Sequence, residues 1–196
     1  MAWDTERTRR RLLDAALVEF ASHGLDGTTV AGIAARAGVN KERLYSYFGD
    51  KQALWRLVLS TELERLAAAV ALTGVSLKDI GEFAGATFDY HADHPQLARL
   101  LQWEGLQDGQ AADLAVRTAH YREKVARFAA AQRDGLLDPG LDAAHLVFAL
   151  IALAAWWQTV PQLAEMITGA GRDDRRERAR RRRFVVEAAR RLAARR

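Results

Sequence analysis

Residues 28–51 read Thr-Thr-Val-Ala-Gly-Ile-Ala-Ala-Arg-Ala-Gly-Val-Asn-Lys-Glu-Arg-Leu-Tyr-Ser-Tyr-Phe-Gly-Asp-Lys. Val30, Ile33, Ala34 and Ala37 recur at helical spacing, Gly38 breaks the pattern, and Asn40 offers a side-chain oxygen to start a second helix at Lys41. Two short helices joined by a tight glycine turn are the layout of a helix-turn-helix DNA reader. In the second helix Leu44 and Phe48 fall on an inward face. Its first turn carries Lys41, Glu42 and Arg43, long polar side chains at the end that a recognition helix pushes toward base edges in the major groove.

Outward from this stretch, helix signals dominate; with three prolines and no period-2 strands the chain reads as all-α. A first helix from Asp4 to His23 is expected to bury Leu13, Ala16, Leu17 and Phe20 and to end at Gly24. Asp50 can cap a long helix from Lys51 to Thr73, stopped by Gly74, that links two domains, residues 1–50 and 51–196. Ser76 and Asp79 resemble a capping box for a helix ending near Asp93, and Pro95 starts another that reaches Leu106. Asp108-Gly109 predicts a turn and Ala111–Arg133 a helix, followed by a loop over 135–141. Asp142 caps the next helix, Pro161 breaks it near Val160, a short helix reaches Ile167, and an Arg-rich helix closes the chain.

Phe20, Gly24, Thr28-Thr29, Ile33-Ala34, Ala37-Gly38-Val39, Leu44-Tyr45, Tyr47-Phe48 and Lys51 together follow the pattern of the TetR (tetracycline-repressor-like) regulators. The resemblance covers roughly residues 8–58 and spans many fixed spacings. It implies an N-terminal three-helix DNA-binding domain and a larger C-terminal helical domain for effector binding and dimerisation. It places Thr29, Lys41, Glu42, Arg43, Tyr45 and Tyr47 at positions that face DNA and matches Lys51 to the family's phosphate-contacting lysine. Physically, Arg43 or Lys41 can donate to guanine O6 and N7, while hydroxyls on Tyr45, Tyr47 and Thr29 suit phosphate oxygens. Glu42 can complement the helix N-terminus or accept from a cytosine amine.

Composition bounds the alternatives. The chain has 196 residues, 49% of them hydrophobic, enough to bury a core as one domain or two small ones. It has no cysteine, which excludes disulfides, zinc fingers and thiol catalysis and suits a reducing cytoplasm. The N-terminus lacks the apolar stretch of a signal peptide, and the longest apolar run, Ala143–Trp157, falls short of the ~20 residues that a bilayer core requires, so no membrane partner is expected. The net charge of +4 is unevenly spread: residues 1–51 hold eight bases against seven acids, whereas residues 172–196 hold twelve arginines against four acids. Phe184, Val185, Ala188, Ala189 and Leu192 form an apolar stripe beside those arginines, which reads as an amphipathic helix packing on a partner rather than a nucleic-acid or lipid contact.

In the C-terminal region, polar residues on faces that should be apolar mark a candidate ligand pocket. Thr87 and His91 share a face with Phe88; Glu104, beside Trp103, sits with Leu97, Leu100 and Leu101; Arg122 falls among Leu114, Tyr121, Val125 and Phe128. The resemblance implies an effector pocket in this region, for an unidentified small molecule. Internal satisfaction, such as a Glu104–Arg122 ion pair, is the structural alternative. His91 and His94 lie three apart, but Pro95 draws His94 out of helical geometry and no third ligand is fixed, so no metal or cofactor is expected. No phosphate loop, nucleophile elbow or cysteine nucleophile is present, so the chain does not read as an enzyme. His145, Ala149, Ala152 and Trp156, with Phe184, Val185, Ala188 and Leu192, are the candidate dimer interface. The reading is a ligand-responsive regulator, a repressor that binds double-stranded operator DNA as a homodimer. A helical ligand-binding protein, an α-helical enzyme or a membrane-surface protein are the alternatives.

Overall fold

A computed structural model describes residues 2–107, 111–171 and 174–195, with side chains from Thr5 onward. Among the described residues the chain forms helices only: α1 (Ala2–Gly27), α2 (Val30–Ala37), α3 (Lys41–Phe48), α4 (Lys51–Ala69), α5 (Leu77–Asp93), α6 (Pro95–Gly105), α7 (Leu114–Arg133), α8 (Ala143–Thr159), α9 (Pro161–Thr168) and α10 (Arg175–Ala193). The all-α expectation holds. The turn expected at Asp108-Gly109 lies outside the described residues.

The chain divides into two compact units, and the division differs from the one expected after residue 50. The first takes residues 1–65 together with 96–113; the second takes 66–95 and 114–196. The start of α4 belongs with the reader because Leu54, Trp55, Val58 and Leu59 are buried there, the indole of Trp55 edge-on to Phe20 at 5.2 Å, an arrangement worth ~0.5–1.5 kcal/mol beyond burial. Segment 96–113 belongs there because Trp103 donates to the Ala21 carbonyl at 3.3 Å and lays its ring against Gly24. Gly24 has φ +68, and a Cβ there would lie 2.8 Å from that ring, so both the backbone conformation and the approach require glycine. The helix resumes past this break and reaches Gly27. Along α1 the buried stripe is Thr8, Leu12, Ala15, Ala16 and Phe20, whereas the expected Leu13 and Leu17 are only half-buried. Apolar residues crowd α1 on more than one face, and periodicity alone selects the wrong neighbours.

In the second unit α10 packs on α5 and α8, and α7 on α8. The close approach of α10 runs along Gly81 and Gly85 of α5: a Cβ at Gly81 would meet Arg190 at 2.5 Å, and one at Gly85 would meet Val186 Cγ2 at 2.8 Å. Ser76 and Asp79 form the expected capping box. Asp142 accepts from the Ala144 and His145 amides at 2.9 and 3.0 Å to open α8, and Asp174 does the same for α10. The helix α4 ends at Ala69, short of the expected Thr73, because Val70 and Leu72 both turn inward from an irregular stretch and the Arg127 guanidinium takes up the Leu72 carbonyl. Among the described residues no single helix is long and apolar enough to cross a membrane; α8 and α9 bend by 86° at the intervening break.

Candidate nucleic-acid interface

The reader is built by caps. Thr29 opens α2 by accepting from the Gly32 amide at 3.0 Å, which leaves its own O–H proton available to an outside acceptor. Gly38, at φ 65 and ψ 40, closes the helix: its N–H reaches the Ala35 carbonyl and that of Val39 the Ala34 carbonyl, the paired bonds of a left-handed glycine stop. Asn40 then accepts from the Arg43 amide at 3.3 Å to start α3. The Gly38 stop and the Asn40 cap follow the sequence expectation; the Thr29 cap is added by the structure.

Helix α3 separates its faces sharply. Leu44 is fully buried and Phe48 nearly so, with the Arg9 guanidinium 5.6 Å from the Phe48 ring centroid. Lys41, Glu42, Arg43 and Tyr45 are exposed, as is Ser46, while Tyr47 is half-buried. Lys51, half-buried at the start of α4, donates to the Thr28 carbonyl at 2.9 Å. Thr28 itself is buried and donates to the Gly24 carbonyl at 2.6 Å. An ammonium thus sits beside the start of α2, next in sequence to the Thr29 hydroxyl, where the helix dipole also favours a phosphate. Arg36 is occupied by Glu19 at 2.6 Å and ties α2 to α1.

The seven residues expected at DNA all lie in the first unit. Of the expected pocket residues, Trp103 and Glu104 lie in the first unit and Thr87, Phe88, His91, Tyr121 and Arg122 in the second. Trp103 packs within the first unit against Ala21 and Gly24, and Glu104 accepts from the Ala112 amide at 2.9 Å. Arg122 and Tyr121 are exposed. The face of α7 that turns inward is set by Phe128 and Ala131, both buried, and continues through Lys124 and Arg127, which were read from sequence as outward or left out. The physical reason is the lysine stem: Lys124 lays its chain along apolar surface with its ammonium 4.4 Å from the Phe83 ring centroid. On α5, Thr87, Phe88 and His91 are buried as expected. Thr87 donates to the Phe83 carbonyl at 2.8 Å, while Nδ1 of His91 has no hydrogen-bond partner. Burial, reinforced by the nearby His94, pushes the His91 pKa down to about 4, so the ring is neutral at neutral pH. His94 stacks on Tyr90 at 4.0 Å and holds the Tyr90 carbonyl through Nδ1 at 2.9 Å.

Of the expected dimer residues, Trp156 (55%), Phe184 (55%) and Leu192 (38%) are exposed, His145 is exposed, and Ala149, Ala152 and Ala188 are half-buried. Val185 is the exception: it is fully buried in its own protomer, because the α10 stripe that contains Ala189 and Ala193 faces inward. Phe184, Ala188 and Leu192 line an open cleft of about 530 Å³, edged by Glu187 and Arg191. Phe148, 75% exposed on the same stripe of α8, escaped the sequence reading although its helical spacing from His145 and Ala152 points to it.

Residues 12–58 match the bacterial regulatory proteins, tetR family, and residues 79–191 match the Tetracyclin repressor-like C-terminal domain. The chain is 40% identical to the HTH-type transcriptional repressor SCO4008 of Streptomyces coelicolor, over 87% of this chain and 88% of that one. It is 32% identical to the HTH-type transcriptional regulator RutR of Escherichia coli K12, over 83% and 79%. Its fold matches the crystal structure of the transcriptional regulator SCO4942 of Streptomyces coelicolor with a TM-score of 0.81 at 33% identity, over 96% of this chain and 99% of that one. With a capped helix-turn-helix, an exposed polar face on α3 and matches to both domains, the chain belongs to the TetR family of ligand-responsive, DNA-binding transcriptional regulators.

Proposed function

We propose that this regulator is a non-catalytic cytoplasmic repressor that binds a near-palindromic operator as a homodimer and leaves it when a small molecule binds. The observation that carries the reading is α3: Leu44 and Phe48 anchor it while Lys41, Glu42, Arg43 and Tyr45 stand free of the protein for base edges and phosphates. Base readout rests on Lys41 and Arg43, phosphate contact on Lys51, Thr29, Tyr45 and Tyr47. The exposed Phe148, Trp156, Phe184 and Leu192 support pairing of α8 and α10 with those of a second copy, since apolar side chains in such a row are usually covered. A two-fold dimer reads half-sites about one helical turn (~34–36 Å) or a multiple apart. Release then needs only a ligand whose affinity differs between two states by a few kcal/mol.

The test is to incubate the purified protein with fragments of its source genome at two salt concentrations and sequence what is retained. Retention of a palindromic site at both salts is the expected result. Retention that is blind to sequence and vanishes at the higher salt would overturn the reading.

A further inference from the structure

In the second unit, the irregular end of α4 and one face of α7 enclose an open cleft of about 190 Å³. Its apolar side is Ala67, Val70, Ala71 and Leu72; its polar side is His120, Glu123, Lys124 and Arg127. Lys124 is partly desolvated, and the neighbouring Arg127 charge adds to this; both effects pull its pKa down. Among the described residues no carboxylate oxygen lies within ion-pair distance of its ammonium, which sits over the Phe83 ring at 4.4 Å. Arg127 spends a donor on the Leu72 carbonyl, and a guanidinium has five. The remaining carboxylate of the cleft, Glu123, is exposed. An anion with an apolar body would answer both halves of this lining: it would neutralise the lysine–arginine pair and cover the exposed Ala67 and Ala71.

We propose that this cleft binds a small organic monoanion, with its carboxylate held by Lys124 and Arg127 and its apolar body against Ala67 and Ala71. The volume, room for about six waters at ~30 Å³ each, limits the ligand to the scale of benzoate or hexanoate. Binding itself is independent of the regulator reading; that such an anion is the effector rests on it. Helix α4 supplies the connection, since its residues 51–65 belong to the unit that carries the reader and its end forms this cleft.

The test titrates the full chain calorimetrically with benzoate, hexanoate and the matching neutral amides. Both acids are expected to bind at least tenfold more tightly than their amides. Lys124→Met should lose about ten- to a hundredfold of acid affinity, the range of a hydrogen bond to a charged group. Glu123→Gln should gain up to about fivefold, a change that a merely structural role for this face would not produce. Lys124→Gln serves as a second variant if methionine disturbs the packing on Phe83. Equal binding of acids and amides, no binding of either acid at millimolar concentration, or unchanged affinity in both lysine variants would overturn the proposal. Operator retention with and without benzoate is measured on the same protein: binding without release removes the effector role, whereas absence of any operator binding counts against the regulator reading and leaves the titration as the judge of the cleft.

Discussion

On the proposed reading Arg43 and Lys51 bring positive charge to the same ligand through different geometry, and their variants should differ in kind. Arg43 is exposed in the first turn of α3, with only its backbone amide spent on the Asn40 cap. Arg43→Ala should cost ~1–3 kcal/mol on the best operator and relax preference at one base pair. Lys51→Ala should weaken every sequence alike and reduce the salt slope by about one. Binding isotherms on the operator and on single-base variants, each at several salt concentrations, separate the two; equal losses on all sequences for both would undo the assignment. His91 gives a prediction about stability. Its folded pKa of about 4 lies below the ordinary 6.5, so in that window the unfolded chain binds more protons and stability falls as pH drops from about 6.5 to about 4. The loss approaches about 3 kcal/mol at the acid end, at 1.36 kcal/mol per unit. Asp93, held down by its hydrogen bond to Arg178, adds its own loss only below about 3.8. Urea midpoints against pH for the wild type and His91→Met should diverge in slope across the His91 window. The exposure of Lys41, Glu42, Arg43 and Tyr45 and the burial of His91 were legible in the sequence because in α3 and α5 the apolar residues recur on one face. Lys124 was not, because a lysine that buries its stem is indistinguishable by residue type from one that does not.

At the scale of elements, capping carried most of the legible information. Gly38, Asn40, Asp50, Ser76 and Asp142 all mark helix ends where their side-chain or backbone chemistry places them. What capping does not specify is rotation about the helix axis. In α1 and α7 alanines and leucines fall on several faces, so the stripe that wins is decided by tertiary partners: Trp55 against Phe20 in α1, and the burial of Phe128 and Ala131 in α7. The pairing of α5 with α10 was equally invisible, since Gly81 and Gly85 within a helix read as weak points rather than as a groove. That groove yields a prediction. Gly85→Ala gains up to ~1 kcal/mol of helix propensity but costs ~1–3 kcal/mol of overpacking against Val186, for a net loss of about 1 kcal/mol. Val186→Ala in the same chain should recover the loss by removing the obstructing methyl. Denaturant unfolding of the two single variants and the double variant tests this: simple additivity would mean that the two side chains do not collide.

For the molecule as a whole, the arginine excess of the last helix is in part committed to carboxylates of its own unit. Arg178 meets Asp93 at 2.7 Å, Arg182 meets Asp89 at 2.6 Å and Arg191 meets Glu187 at 2.7 Å. Arg181 is buried between Glu177 at 3.2 Å and the Thr168 hydroxyl and Ala170 carbonyl at 2.8 Å each. Arg178 and Arg182 tie α10 to α5, and Arg181 ties it to Thr168 and Ala170, which leaves the exposed Phe184 and Leu192 as its outward offer. If that offer is taken up by a second copy, Trp156→Glu combined with Phe184→Glu should give a monomer in sedimentation. Operator affinity should fall by about a hundredfold or more as the second half-site is lost. A double variant that still sediments as a dimer would place the interface elsewhere. A different consequence follows from segment 96–113, which the chain supplies from its middle to the unit that carries α1–α3. Anyone exchanging operator preference between two such chains with one crossover after residue 65 would leave Ala21 and Gly24 facing a foreign residue in place of Trp103. A working chimera needs three junctions, or a donor that carries its own indole at that position, and recombination in nature meets the same constraint.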